Sequence, residues 1–166
     1  MKLRKLKNKD AKYMLEWMHD KDVVRWLQAD FASKTIEDCE RFIDYASQDD
    51  SSLHLAIVDD ADEYMGTVSL RHIDKAEGTA EFAITIRKQA MGKGISKYGM
   101  EEILRMGLED LGLSQIFWCV STANERAIRF YNKGMGTLTD TIPEHILNQY
   151  DKKKQKELIW YVRSRG

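Results

Sequence analysis

The segment that most constrains this chain begins with the apolar, strand-like run Phe82-Ala83-Ile84-Thr85-Ile86. It continues through the turn Gln89-Ala90-Met91-Gly92-Lys93-Gly94 into a long amphipathic stretch from Ile95. In that stretch Gly99, Ile103 and Met106 share one face, with Met100, Leu104 and Leu111 beside it and Glu101, Glu102, Arg105 and Glu109 opposite. The pattern predicts a helix over residues 95–111 ended by Gly112. Strand, glycine turn and helix together make an anion site. Glycines let the backbone approach an anion with no Cβ in the way, and the first N–H groups of the helix complete the cradle. On spacing alone the two glycines serve a tight strand-to-helix turn equally well. Two other phosphate patterns fit worse: Gly92-Lys93-Gly94-Ile95-Ser96 lacks the upstream glycine of a P-loop, and Lys97 stands where a dinucleotide fingerprint needs its third glycine.

The flanks have a readable order. Leu3 to Leu6 alternates as a short strand, and Asn8-Lys9-Asp10 supplies capping residues before Met14, Leu15, Trp17 and Met18. Asp20 or Asp22 caps a short helical piece carrying Val23, Val24, Trp26 and Leu27, and Thr35-Ile36-Glu37-Asp38 resembles a capping box opening a helix through Tyr45. Residues 53–58, 64–73 and 79–86 are β-rich runs separated by short turn clusters, which predicts an antiparallel meander. Ile116-Phe117-Trp118-Cys119-Val120 reads as a strand covered on both faces. Asn124 caps a helix reaching Asn132, and a terminal hairpin follows from Thr137 to Tyr150 and from Glu157 to Val162, with Pro143 at an edge or bulge and Asp151 to Lys156 as its solvated turn. The alternative reading of that turn is a basic patch for an anionic acceptor such as a nucleotide-linked sugar.

At 166 residues, with no repeat or linker, the chain is expected to be a single domain over residues 1–166. Lys and Arg number 26 against 27 Asp and Glu, a net charge of −1, so no nucleic acid partner is expected. The basic opening Met1 to Lys7 is followed by no apolar run of secretory or membrane-spanning length, which predicts a cytoplasmic protein without a membrane partner. Cys39 and Cys119 are far apart, so neither a disulfide framework nor a metal site is expected and both read as buried or idle thiols.

Two blocks together resemble the GNAT (general-control-related) N-acetyltransferase superfamily. Gln89-x-x-Gly92-x-Gly94 is similar to its acyl-CoA motif, and Asn124, Ala127, Tyr131, Lys133 and Gly134 are similar to its Asn-x-x-Ala-x-x-x-Tyr-x-Lys block. Met91 departs from the arginine many members carry, and Met135-Gly136 from the usual Gly-aromatic ending. The resemblance implies an α/β fold of the α+β type: the GNAT acyl-CoA N-acyltransferase fold, a mixed, mostly antiparallel twisted sheet splayed between its fourth and fifth strands, with flanking helices. It implies acetyl-CoA as co-substrate, with the pantetheine arm lying between residues 79–86 and 116–120 as a pseudo-strand. The backbone of Ile84, Thr85 and Ile86 would pair with that arm, Gln89 belongs to the motif, the N–H groups of Met91, Gly92, Lys93, Gly94, Ile95 and Ser96 would hold the pyrophosphate, and Asn124 would bond the arm.

The implied chemistry is attack of an amine on a thioester, which needs a proton acceptor, oxyanion stabilisation and a proton for the departing thiolate. The resemblance makes Tyr131 the proton donor facing the CoA sulfur; the plain alternative is a core aromatic beside Ala127 and Ile128. It makes Glu81 the base, directly or through water, against the alternative of an exposed strand carboxylate, because strand residues alternate faces. His54 and His72 are further titratable candidates, more readily surface residues. The acceptor side would draw on Trp17, His19, Asp22, Trp26, Phe31, Tyr150 and Trp160, most of which read as packing. The branch resembled is the ribosomal-protein N-terminal acetyltransferases, giving direct ternary-complex transfer to a protein N-terminus or small-molecule amine. The segment Trp17 to Val23 is also similar to amino-sugar-nucleotide acetyltransferases of cell-surface polysaccharide pathways, polyamines and antibiotic amines need the same cofactor half, and a non-catalytic acyl-CoA-binding module is the alternative of another class. The resemblance also admits a homodimer.

Overall fold

The computed structural model describes residues 1–27 and 29–166. Seven strands lie in one sheet in the order β1-β2-β3-β4-β5-β7-β6, with β1 at Lys2–Lys5, β2 at Leu53–Val58, β3 at Tyr64–Asp74, β4 at Thr79–Ile86, β5 at Gln115–Ser121, β6 at Thr137–Thr139 and β7 at Leu158–Ser164. Strands β1 and β2 pair antiparallel from Lys2↔Val58 to Lys5↔Leu55. Strand β4 runs parallel to β5 in the register Thr79↔Gln115, Ala80↔Ile116 and Glu81↔Phe117. Strand β7 pairs antiparallel with both β5 and β6. The helices are α1 (Ala11–Met18), α2 (Lys21–Val24), α3 (Ile36–Ala46), α4 (Ile95–Arg105), α5 (Glu125–Tyr131), α6 (Glu144–Leu147) and α7 (Lys152–Gln155). The chain forms two compact units, one of residues 1–69 and 83–103, the other of residues 70–82 and 104–166.

In the first unit the caps read for α2 and α3 are formed, whereas Asn8–Asp10 is a 3-10 turn and Asp10 makes no side-chain cap bond to α1. The Asp20 side chain accepts from Asp22 N–H, and Thr35 and Asp38 make the reciprocal capping box of α3. Each such cap satisfies a backbone donor that the helix leaves unpaired, about 1 kcal/mol apiece. Met14, Trp17, Met18, Cys39, Ile43, Ala56, Val58 and Tyr64 form the core here, and the Trp17 indole donates to the Tyr64 hydroxyl at 3.0 Å. Arg4 is clamped on both oxygens of buried Asp10, at 2.8 and 2.9 Å. Gly99 lets α4 sit close to the sheet: a Cβ there would stand 2.4 Å from Ile57 Cδ1.

The second unit departs from the sequence reading at four places. The long helix ends as α4 at Arg105 and widens into a π-helical turn, Met106–Asp110, before Gly112 stops it at φ +70°. The expected terminal hairpin keeps only β6 and β7 as its arms, with α6 and α7 between them. Pro143 is neither an edge nor a bulge residue. It stands immediately before α6, where its fixed φ of −54° suits a helix start and its carbonyl accepts from Ile146 and Leu147. The lysine run is likewise a helical turn, α7, because the Asp151 side chain caps it through Lys154 N–H. Phe117, Ile146, Tyr150 and Trp160 make one core cluster of this unit. Trp118, 1% exposed, stacks on Tyr161 at a centroid distance of 5.9 Å.

Candidate active site

The end of β4 and the turn after it belong to the first unit, and their placement starts at Arg87. Its guanidinium donates to Glu16 at 2.9 Å, to Glu63 at 3.1 Å and to the Tyr64 carbonyl at 3.1 Å, and lies 4.4 Å over the Tyr13 ring. Its N–H reaches the Met65 carbonyl at 2.9 Å, and Lys88 pairs with Asp22 at 2.7 Å. The chain is thus fixed where the glycine turn begins. A single 3-10 turn, Lys88–Ala90, carries exposed Gln89, after which Gly92 and Gly94 take φ of +76° and +77°, a region open to glycine at little cost. A Cβ built on either glycine meets nothing within 4 Å, so the turn faces open space, the opening an anion needs to reach the backbone.

The first helical bond back into the turn is Tyr98 N–H to the Gly94 carbonyl at 3.1 Å, so the amides of Ile95, Ser96 and Lys97 precede the ladder of α4 and lack helical partners. A helix N-terminus with free donors and its positive dipole end suits a pyrophosphate. One predicted contact is altered. Met91 N–H donates to the Lys88 carbonyl at 3.2 Å, and the Met91 side chain packs against the core where an arginine would reach out. A cradle of backbone amides in this turn would therefore start at Gly92 and not at Met91. Upstream, Ile84 and Thr85 are half-buried and Ile86 is buried, and the backbone approach is tight: a Cβ on Gly66 would lie 2.6 Å from the Thr85 carbonyl.

The second unit holds Glu81 and the groups around it. Glu81 is 1% exposed, so it is not a solvated strand carboxylate. Its Oε2 accepts from the Tyr150 hydroxyl at 2.6 Å, while Oε1 lies 3.2 Å from Arg71 Nη2 and 3.9 Å from His72 Nε2. The Arg71 approach is an ion pair without hydrogen-bond alignment, for Oε1 has no hydrogen-bond partner among the described residues. Tyr150 is itself pinned. Its N–H donates to Leu147, Gln155 Nε2 donates to its carbonyl at 2.8 Å, and its ring meets Trp160 edge-on at 5.7 Å. Burial pushes the Tyr150 phenol well above the ordinary tyrosine value, and burial raises the neighbouring Cys119 thiol to about 12. Both stay protonated at neutral pH.

Tyr131 ends α5, buried to 8% exposure, its ring 5.7 Å from Trp118 and 5.3 Å from Tyr161. Burial raises its phenol too, so it is a neutral O–H, and its hydroxyl has no hydrogen-bond partner among the described residues. That combination suits a proton donor. Asn124 caps α5, its Oδ1 accepting from Ala127 N–H at 3.2 Å.

The other candidates separate. Trp17 and Phe31 pack together in the first unit's core, edge-on at 5.1 Å, and His19 bonds the Lys34 carbonyl at 2.8 Å. Trp26 lies under Arg25 at 4.7 Å, and Asp22 holds Lys88. His54 faces Ser69 Oγ at 2.6 Å, whereas His72 stands in the Glu81 cluster. Sequence reasoning missed Arg71 and read Cys119 only as a buried or idle thiol. No local signal marks either, since adjacency of β3, β4 and β5 places them beside Glu81 and Tyr150. Among the described residues no group of three or more His, Cys, Asp or Glu could hold a metal, and no helix is long and apolar enough to cross a membrane.

A mixed sheet with β4 parallel to β5 and an open glycine turn feeding α4 is the architecture of an acyl-CoA-dependent transferase. The family model of the acetyltransferase (GNAT) domain matches residues 1–134, and the chain belongs to that family of acetyl-CoA-dependent N-acetyltransferases. It is 26% identical over 155 residues to the spermidine N(1)-acetyltransferase of Escherichia coli, covering 89% of this chain and 79% of that protein. It is 23% identical over 163 residues to an uncharacterized N-acetyltransferase, p20, of Bacillus licheniformis, covering 96% and 89%. The fold is also that of the Vibrio cholerae spermidine N-acetyltransferase in complex with CoA and spermine, with a TM-score of 0.79 at 16% identity over 99% of this chain and 95% of that one. These relatives do not support the ribosomal-protein branch suggested by the sequence.

Proposed function

We propose that this chain is a polyamine N-acetyltransferase, moving acetyl from acetyl-CoA to a primary amine of a spermidine-like acceptor in one ternary complex. The observation that carries the cofactor half is the pair of left-handed, open glycines, Gly92 and Gly94, ahead of the unpartnered amides of α4. The acceptor class rests on the spermidine acetyltransferases among the relatives, in place of a protein N-terminus. The pyrophosphate would lie on the backbone amides from Gly92 to Ser96, with Lys93 and Lys97 adding positive charge nearby. Glu81 serves as base: the amine nitrogen attacks the thioester carbon, its proton passes to the carboxylate, the C–S bond breaks and the thiolate takes a proton from Tyr131. A buried carboxylate and an unpartnered phenol, both in the second unit, support these roles.

The test is release of free CoA thiol from acetyl-CoA with spermidine, spermine, peptides with free N-termini, aminoglycosides and amino-sugar nucleotides. Turnover with the polyamines and none with the peptides is expected. Turnover confined to peptides or to amino-sugar nucleotides refutes the polyamine reading, and acetyl-CoA binding without turnover on any amine refutes catalysis.

A further inference from the structure

We infer that Tyr150 is a catalytic residue: its hydroxyl touches the acceptor nitrogen and passes that nitrogen's proton to Glu81, so that the base is the Tyr150–Glu81 pair. The inference rests on the reading of Glu81 as base and says how a carboxylate so placed can act. At 1% exposure Glu81 offers almost no surface to an incoming amine. Tyr150, at 9%, is the more accessible of the two and already donates its proton to Oε2 at 2.6 Å. A phenol that donates in one direction keeps its oxygen lone pairs for a donor on the other side. Among the described residues that oxygen is also approached by Arg71 Nη2, long at 3.4 Å, and by the Cys119 thiol, a weak hydrogen-bond partner that an amine can displace.

The surroundings fix this geometry from every element that packs on it. Arg71 and His72 face Glu81 from β3, and Cys119 lies beside Tyr150 from β5. His145 of α6 holds the His72 carbonyl through Nε2 at 3.3 Å, and Gln155 of α7 holds the Tyr150 carbonyl. Trp160 of β7 braces the phenol ring. Arg71 carries the charge that balances the carboxylate before the proton arrives. Because burial keeps the phenol from ionising, the two transfers are coupled: the amine N–H bond breaks as a new O–H forms on Tyr150, and the original Tyr150 proton bonds to Glu81 Oε2. Tyr150 ends as a neutral phenol and Glu81 as a carboxylic acid, which returns its proton to water between turnovers.

The experiment compares Tyr150→Phe, Glu81→Gln and the double variant in steady-state acetylation of spermidine, with acetyl-CoA affinity by calorimetry. It adds a proton inventory of kcat in mixed H2O and D2O. Glu81→Gln keeps a carbonyl oxygen to accept from Tyr150, so it removes basicity with little change of packing. Each single variant should lower kcat by about 10²-fold, and the double variant no further than the worse single one. Acetyl-CoA affinity should be unchanged. The wild-type inventory should be bowed, with two protons in flight, and linear in both variants, a change that loss of packing alone does not make. If Glu81→Gln loses turnover while Tyr150→Phe keeps it, if the two effects multiply, or if the wild-type inventory is linear, the relay is wrong and Glu81 acts without Tyr150. If Glu81→Gln keeps full turnover, the base reading itself falls and the relay falls with it.

Discussion

Replacing Gly92 by alanine tests the glycine turn with one methyl group. At φ +76° a Cβ-bearing residue is strained by about 1–2 kcal/mol, and because nothing lies within 4 Å the methyl itself clashes with no part of the protein. Two outcomes divide that strain. If the free turn keeps its shape, the folded state loses it, lowering Tm by roughly 2–8 °C for a chain of this size. If the free turn relaxes, binding must restore the shape, and acetyl-CoA affinity falls by about 5- to 30-fold at 1.4 kcal/mol per tenfold. In both cases the methyl projects into the open space that a phosphate would use, so affinity falls further. Gly112→Ala is the control: its φ is +70° and its Cβ would meet only Arg165 Nη1 at 3.7 Å, giving the same kind of strain away from the turn. Calorimetric titration of acetyl-CoA with parallel thermal melts should show Gly92→Ala weakened and Gly112→Ala at wild-type affinity. A Gly92→Ala affinity within twofold of wild type, or an equal loss in both variants, refutes the cradle.

Tyr131→Phe should lower kcat by about 10²-fold or more while leaving acetyl-CoA binding intact; turnover within threefold of wild type would make Tyr131 a packing residue. Gly136→Ala sets a Cβ 2.4 Å from Trp118 Cη2, a rigid buried ring, so it should destabilise by about 1–3 kcal/mol in urea titration and disturb the Tyr131 ring that Trp118 contacts. An unchanged midpoint would mean that Trp118 has room to move. Since burial holds the Cys119 thiol near 12, iodoacetamide at pH 8 should leave it unmodified in the folded protein and label it once urea unfolds the chain. The folded state binds that proton more tightly than an unfolded thiol with a pKa of about 8.5, so its stabilising share is complete below about pH 8.5 and fades as pH rises towards 12. Rapid labelling of the native protein contradicts the raised thiol.

The caps, the strands at 53–58 and 79–86 and the start of α4 were legible because local chemistry sets them. Thr35 and Asp38 lie within one helical turn of each other, and Gly92 and Gly94 carry their conformational freedom with them. The resemblance placed Tyr131 and Asn124 because a spaced motif on a single helix survives without tertiary knowledge. Less local features went astray. Pro143 and the lysine run read as hairpin parts, yet each sits at a helical turn whose formation depends on what caps it and what it packs on.

Whether Glu81 faced solvent or the interior was undecidable in sequence, since a strand offers two faces and one residue of register exchanges them. The fold buried it, and gathered Arg71, His72, Cys119 and Tyr150 from separate segments around it. The sequence alone thus determined the helix caps, the glycine turn and, through its motifs, the family resemblance, since all depend on neighbours a few residues apart. Tertiary structure alone decided the carboxylate's partners, because residues as distant as Glu81 and Tyr150 meet only when strand pairing and core packing close the chain between them.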